Sequence, residues 1–368
     1  MKFIADRDAL LRPLQLIGGV VERRSTLPVL ANVLVEATAG GVRLSGTDLE
    51  VSLTVMISSV AVERDGVVTI PARKLTDICK SLPDGASVTV EAEDAKVLLR
   101  SGRSRYTLAT LPFGDFPALE QDQATGTSIE VSRTLLEGLI DQVSFSMAQQ
   151  DVRYFLNGMY LEVSPGQIRV VATDGHRLAM ASAAAPIDCP AKVSAILPRK
   201  AVQELGRLLA EDVETVTVTL EKSQAKVACG PFRLGTKLID GRFPDYEKVI
   251  PKGLVSTILA NREGLRSACA RAAILSNEKY RGVRVQISGD ELVLKANNPE
   301  QEEAEEVIPV SFNGESLDIG FNVTYLQDVL GALETEEVRI NLTDANSSAV
   351  IEGVGNDQAL YVVMPMRL

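Results

Sequence analysis

The 368-residue chain repeats itself three times, and this limits what it can fold into more than any other feature. A long-period repeat means that each copy is one structural unit and that neighbouring copies join. Each copy opens with a strand-like stretch and an amphipathic helix. Apolar residues recur at helical spacing as Leu10, Leu11, Leu14 and Ile17, as Leu135, Leu136, Leu139, Ile140 and Val143, and as Leu265, Ala268 and Ala272. That period predicts one buried stripe per helix. Alternating strands follow and end on polar corners in register: Thr47-Asp48, Thr173-Asp174 and Asn297-Asn298. A second helix is announced over Pro71 to Leu75, Pro198 to Val202 and Phe321 to Tyr325, where proline suits a helix start. The first two copies close on Phe116-Pro117 and Phe243-Pro244, and the third on Met364-Pro365-Met366.

Polar stretches from Glu120 to Ser128 and from Pro251 to Ser256 read as loops. They divide the chain into domains over residues 1–120, 129–250 and 256–368. Two helices and about eight short strands per copy describe an α+β unit with both helices on one face of a sheet. Joined edge to edge, such units place their helices on one side and their sheets on the other. The arc they form curves, and a second chain closes it into a ring.

Composition removes several classes. No run of about 18 apolar residues is present, so no membrane helix is expected. The start, Met1 to Arg7, lacks the basic and apolar regions of a secretory signal, which leaves the cytoplasm as the expected compartment. Four scattered cysteines without a C-x-x-C pair and a single histidine offer neither a disulfide framework nor a zinc set. No metal and no cofactor are expected. The net charge of −11 argues against a tight static grip on phosphates, which demands a basic excess. It leaves loose encirclement open, because charge acts over only about 10 Å at ordinary salt.

His176 and Asp174 invite a hydrolase reading with Ser144 or Ser146, but neither serine sits in a G-x-S-x-G elbow. The Thr-Asp pair also recurs at Thr47-Asp48 without a histidine, which marks a structural corner. Gly18-Gly19 fits neither a phosphate loop nor a dinucleotide fingerprint. An enzyme or ligand-binding protein with sites between repeats would gather titratable residues in one cleft, and the sequence shows no such set. The chain is expected to catalyse nothing.

Seven stretches, in order, carry a resemblance over the whole chain: Leu44 to Glu50, Arg100 to Arg105, Thr173 to Leu178, Asp240 to Tyr246, Ala273 to Lys279, Asn297 to Glu306 and Tyr361 to Leu368. Together they resemble the bacterial DNA polymerase III beta sliding clamp family. The resemblance implies a DNA-clamp fold of three tandem domains, closed as a head-to-tail dimeric ring with helices lining the pore and sheets outside. It implies encirclement of double-stranded DNA without sequence preference. The partners it implies are a second copy of the chain, the replicative polymerase, a clamp loader, and other clamp-binding polymerases and repair proteins.

Residue roles follow from the same resemblance. Arg103 and Arg105, in a basic cluster with Arg100, face the acidic run Glu300, Glu302, Glu303, Glu305 and Glu306 across the dimer interface. A closing heterologous contact makes a ring, and complementary charge fixes its register. Tyr106 and Leu108 against Ile274 and Leu275 supply the apolar centre, and Lys74 suits either the acidic edge or the pore. Arg24, Arg73, Gln150, Tyr154 and Lys200 are the implied DNA contacts. Phe155 stands where the family pattern has a second tyrosine.

The carboxyl terminus is apolar, and Tyr361 to Val363 is expected as a final edge strand. Met364, Pro365 and Met366, with adaptable thioethers, are expected to form part of a groove for linear peptides. The resemblance completes that pocket with Val363 and Arg367, with Leu156, Thr173, Gly175, His176, Arg177 and Leu178, with Pro244 and Val249, and with Asn322, Tyr325 and Ser348. Arg153 is placed at its rim.

Overall fold

The computed structural model describes residues 1–22, 26–119, 126–187, 189 and 191–367. Among the described residues six α-helices appear, two per repeat: α1 (Arg7–Val20), α2 (Ala72–Ser81), α3 (Arg133–Val143), α4 (Arg199–Leu208), α5 (Arg262–Ile274) and α6 (Val323–Ala332). The expected stripes are buried at Leu10, Leu14 and Ile17, at Leu136, Leu139, Ile140 and Val143, and at Leu265, Ala268 and Ala272. Leu11 and Leu135 are only half-buried at the stripe margins. Proline precedes α2 and α4, whereas Asn322 precedes α6 and its side chain accepts from the Thr324 N–H at 2.9 Å.

The strands depart from the expectation of one sheet per repeat, because among the described residues they form four sheets. A five-stranded sheet runs Val60–Arg64, Lys2–Asp6, Ser87–Glu93, Lys96–Ser101, Ser104–Ala109. An eight-stranded sheet runs Thr127–Ser132, Thr215–Leu220, Gln224–Cys229, Phe232–Lys237, Val51–Ile57, Gly41–Thr47, Asn32–Thr38, Gly66–Pro71. A nine-stranded sheet runs Val193–Pro198, Gly158–Ser164, Gln167–Thr173, Arg177–Ala184, Asn356–Val363, Ala349–Gly353, Glu337–Leu342, Ser256–Asn261, Ser311–Asn313. The four-stranded sheet runs Glu303–Pro309, Glu291–Asn297, Gly282–Ser288, Leu317–Asn322.

The two large sheets each cross a repeat limit at an antiparallel seam. Phe232–Lys237 pairs with Val51–Ile57, with Arg233 opposite Thr54 and Leu234 opposite Leu53. Asn356–Val363 pairs with Arg177–Ala184, with Val362 opposite Leu178. The carboxyl-terminal strand is therefore not an edge: it has a ladder on both sides, and Tyr361, Val362 and Val363 are fully buried between them.

The chain forms two compact units that cut the middle repeat: residues 1–134 with 200–238, and 135–199 with 239–368. Within the first, α1 packs on α2 and on the strands Gly41–Thr47 and Val51–Ile57. Within the second, α5 packs on α6 and on Glu303–Pro309. Of the two expected linkers, residues 120–125 lie outside the described residues, Thr127 and Ser128 already belong to a strand, and Ser256 begins one.

All four cysteines are free and buried. Burial pushes the Cys79 thiol up to about 11 and the Cys269 thiol up to about 12, so both are protonated and unreactive at neutral pH. No described helix is long and apolar enough to cross a membrane.

Candidate functional site

The corner of the second repeat is fixed by its own side chains. Thr173 Oγ1 donates to the Arg177 carbonyl at 2.6 Å and accepts from Gly175 N at 3.1 Å. Asp174 Oδ1 accepts from the backbone N–H groups of His176 and Arg177 at 2.9 and 3.0 Å. Gly175 sits at φ +88°, and a Cβ there would stand 2.7 Å from Arg153 Nη1. Only glycine satisfies both the backbone and the space. Arg153 is held in that position by a fork onto Asp151, at 3.0 and 2.8 Å, and by donation to the Asp174 carbonyl at 3.0 Å. The fork holds the Asp151 carboxyl down at about 2.

Arg177 is committed on every side. Its Nε meets Asp174 Oδ2 at 3.1 Å, its Nη1 meets Asp328 Oδ2 at 2.5 Å, and its Nη2 donates to the Phe145 carbonyl at 2.8 Å. The guanidinium carbon lies 4.5 Å from the Tyr325 ring centre and 5.2 Å from that of Phe145, a cation sandwiched between aromatic faces. His176 stacks on Tyr325 at 6.4 Å, and burial, then the Asp174 charge, raises the Tyr325 hydroxyl pKa. With Oδ1 of Asp174 taken by N–H groups, Oδ2 by Arg177, and Ser146 wholly buried, these residues form no acid–base relay.

Beside this corner the terminal segment is pinned, with Met364 N donating to the His176 carbonyl and Met366 N to the Gly320 carbonyl, both at 2.9 Å. Met364 remains 45% exposed above buried Val363. Below lies an apolar cluster of Val171, Leu178, Ile196, Phe243, Tyr246 and Val362, onto which Phe155 and Met180 pack. Phe243 stacks on Tyr160 at 5.0 Å, and Arg169 donates to the Tyr246 hydroxyl at 3.0 Å, which ties the connector over the sheet. Half-buried Pro244 and exposed Val249 flank Tyr246 on that connector. Leu156 and Thr173 are buried, Asn322 caps α6, Ser348 precedes the strand Ala349–Gly353, and Arg367 is exposed after Met366. An open apolar lip of one methionine, with a rigid charged corner and an aromatic wall beside it, suits capture of an extended apolar segment. Sequence reasoning missed Asp151, Phe145 and Asp328. A signal existed for Asp151, two residues before Arg153, but Asp328 shows its role only once α6 is placed.

Among the implied DNA contacts, Arg24 lies outside the described residues. Arg73 is exposed near Asp77 at 3.7 Å. Gln150 sits exposed at φ +54°, and Tyr154 on the same loop is 57% exposed, edge-on to Phe155. Phe155 packs on the apolar cluster. Lys200 is different: its Nζ lies 2.5 Å from Asp48 Oδ2 and donates to the Val20 carbonyl at 2.8 Å.

The implied interface residues sit at two unpaired sheet edges. Ser104–Ala109 ends the five-stranded sheet, with Arg103 and Arg105 exposed, Tyr106 half-buried and Leu108 buried. Lys74 is exposed on α2. Glu303–Pro309 ends the four-stranded sheet, with Glu300, Glu302, Glu303 and Glu305 exposed. Glu306 is already forked to Arg271 at 2.8 and 2.6 Å, and Glu305 lies 3.0 Å from Lys295. Ile274 is 75% exposed at the end of α5, beside half-buried Leu275.

Three tandem α+β repeats joined through sheet seams, with charged free edges and an apolar groove, define a non-catalytic scaffold of the DNA-clamp fold. Residues 1–120, 130–245 and 247–367 match the N-terminal, central and C-terminal domain models of the DNA polymerase III beta subunit. The chain belongs to that family, the bacterial beta sliding clamps, which serve as processivity subunits. It is 51% identical over 368 residues to the beta sliding clamp of Pseudomonas putida and 46% identical to that of Escherichia coli K12, with both chains covered fully in each case. The crystal structure of the Pseudomonas aeruginosa DNA polymerase III subunit beta superposes with a TM-score of 0.95 at 51% identity over all of both chains. A Pseudomonas aeruginosa sliding clamp bound to griselimycin gives 0.94 at 51% identity, again over all of both chains.

Proposed function

We propose that two copies of this chain close head to tail around duplex DNA, and that the groove around Leu178, Tyr325 and Met364 tethers polymerases and other partners to the ring. The observation that carries this reading is a pair of sheet edges outside the two internal seams, one basic at Ser104–Ala109 and one acidic at Glu303–Pro309. Tethering raises the effective concentration of a polymerase at its template, and topology replaces phosphate affinity, which suits a net charge of −11.

The internal seams supply a register for the seam between protomers. The third-repeat hairpin pairs Asn297 with Glu303 as the first pairs Thr47 with Ser52, so Glu305 corresponds to Thr54. The hairpin pairing Ser101 with Ser104 corresponds to that pairing Cys229 with Phe232, so Arg105 corresponds to Arg233. Arg233 faces Thr54 inside the chain, and on this pattern Arg105 faces the partner's Glu305 and Tyr106 faces the partner's Ala304. Lys74, Leu108, Ile274 and Leu275 complete that interface.

Arg24, Arg73, Gln150 and Tyr154 would touch phosphates, positioning DNA without reading it. The pocket comprises Arg153, Leu156, Thr173, Gly175, His176, Arg177, Leu178, Pro244, Val249, Asn322, Tyr325, Ser348 and Val363 to Arg367. Its partners would be the replicative polymerase, the clamp loader and repair proteins, in the cytoplasm at the nucleoid. The test is retention on a nicked circle loaded with a clamp loader and ATP, before and after linearisation. Release on linearisation supports encirclement, and equal retention on both forms overturns it.

A further inference from the structure

The first two corners spend their aspartates identically. Asp48 Oδ1 accepts from Glu50 N and Val51 N at 2.9 and 2.7 Å, as Asp174 Oδ1 accepts from His176 N and Arg177 N. In both, Oδ2 is left for a cation: Lys200 Nζ at 2.5 Å on Asp48 and Arg177 Nε at 3.1 Å on Asp174. Each cation then donates to a carbonyl at or just past the end of a repeat's first helix, Val20 at the end of α1 for Lys200 and Phe145 in the turn after α3 for Arg177, both at 2.8 Å. The links cross repeats in opposite senses. Lys200 comes from α4 of the second repeat to an acid of the first, whereas Arg177 of the second repeat reaches Asp328 on α6 of the third.

The third corner is built otherwise. Asn298 has no second carboxylate oxygen: its Oδ1 accepts from Glu302 N at 2.9 Å and its Nδ2 donates to Glu302 Oε2 at 2.6 Å. This corner closes on itself. It stands beside the acidic free edge.

We infer that Lys200 and Arg177 are seam staples, cations that each hold a corner aspartate and a carbonyl near a helix end and also cross a repeat limit, Lys200 through Asp48 and Val20 and Arg177 through Asp328, and that Lys200 is not a phosphate contact. An ammonium held by a carboxylate and a carbonyl on a half-buried side chain has two of its three protons committed, and a phosphate would have to displace both. The staples lock the two seams inside the chain.

The test is hydrogen exchange on the full-length protein carrying Lys200→Met, Lys200→Arg or Asp48→Asn. In Lys200→Met and Asp48→Asn, peptides covering Val51–Ile57 and Phe232–Lys237 exchange about tenfold faster or more, because local opening of the seam becomes easier. The pairing of Asn32–Thr38 with Gly66–Pro71 in the same sheet is unchanged, and Lys200→Arg restores protection. DNA retention in Lys200→Met keeps its salt slope. Unchanged seam exchange in both Lys200→Met and Asp48→Asn overturns the inference. So does a salt slope reduced by about 0.9, the signature of one lost phosphate contact. The exchange readout holds whether or not the protein encircles DNA, so failure of the ring reading would be seen separately on linearised circles.

Discussion

The two internal seams share one backbone plan and differ on the sheet face turned away from the helices. Around the second seam that face carries Val171, Leu178, Met180, Leu360 and Val362. The corresponding positions at the first seam, read through the shared strand registers, are Ser45, Ser52, Thr54, Arg233 and Gly235. The apolar face is covered by a connector anchored through Phe243 and Tyr246, and its uncovered margin is the groove. The polar face lines an open cavity of about 1330 Å³ with Phe116 to Leu119 at its border. The same pairing plan thus carries an apolar outward face at the second seam and a polar one at the first.

The largest effect that could break this comparison lies at the groove lip. Deleting residues 364–368, or changing Met364 and Pro365 to polar residues, should weaken binding of a polymerase-derived peptide about a thousandfold, as loss of a desolvated anchor does. Sedimentation should show the dimer intact. A monomer instead would mean the segment completes the core.

Next comes the connector. Tyr246→Ala should cost about 3 kcal/mol, since a buried ring and its bond to Arg169 are both lost. Leu119→Ala, at the half-buried counterpart over the polar face, should cost about 1 kcal/mol or less. Urea unfolding midpoints of the two variants check the contrast, and equal shifts would erase it.

The seam between protomers extends the comparison to a third case. Arg105→Glu should raise the dimer dissociation constant about tenfold, and Glu305→Arg should restore it, as a cycle across one charge pair measures. Failure of the rescue would displace the register derived from Arg233 and Thr54.

The smallest effect concerns the Arg153 fork, which has no counterpart among the described residues of the first seam. The Asp151 carboxyl lies below its ordinary range, so the fork is fully present above about 4 and is lost only as pH falls through the folded value of about 2. Carboxyl NMR should place the midpoint near that value, and Arg153→Ala should return it toward about 4.

Much of this was legible in the sequence where the signal is local. Helix periodicity, the Thr-Asp corners and the closing prolines depend on neighbours within a few residues, so the repeat and its helices could be read directly. Sheet membership could not. Whether Phe232–Lys237 pairs with Val51–Ile57 is decided more than a whole repeat away along the chain, and alternation gives a strand its faces but not its partner. For the same reason Tyr361 to Val363 read as an edge although it lies mid-sheet. Among site residues, Met364 to Met366 announced themselves as apolar chain at a terminus. Lys200 resembled any exposed lysine at a helix start until Asp48 and Val20 were seen beside it.

Repeats and compact units are out of phase in this chain, which has a consequence for its synthesis. The first unit needs residues 200–238 to complete its large sheet, so the opening 134 residues leave the ribosome with Val51–Ile57 still unpaired on one side. At translation speeds of about 5–20 residues per second, that strand waits roughly 10–35 seconds for its mate. The interval is set by the rest of the first repeat and most of the second, which lie between the two. The polar face of the strand, Ser52 and Thr54, is what meets water or a chaperone during that delay.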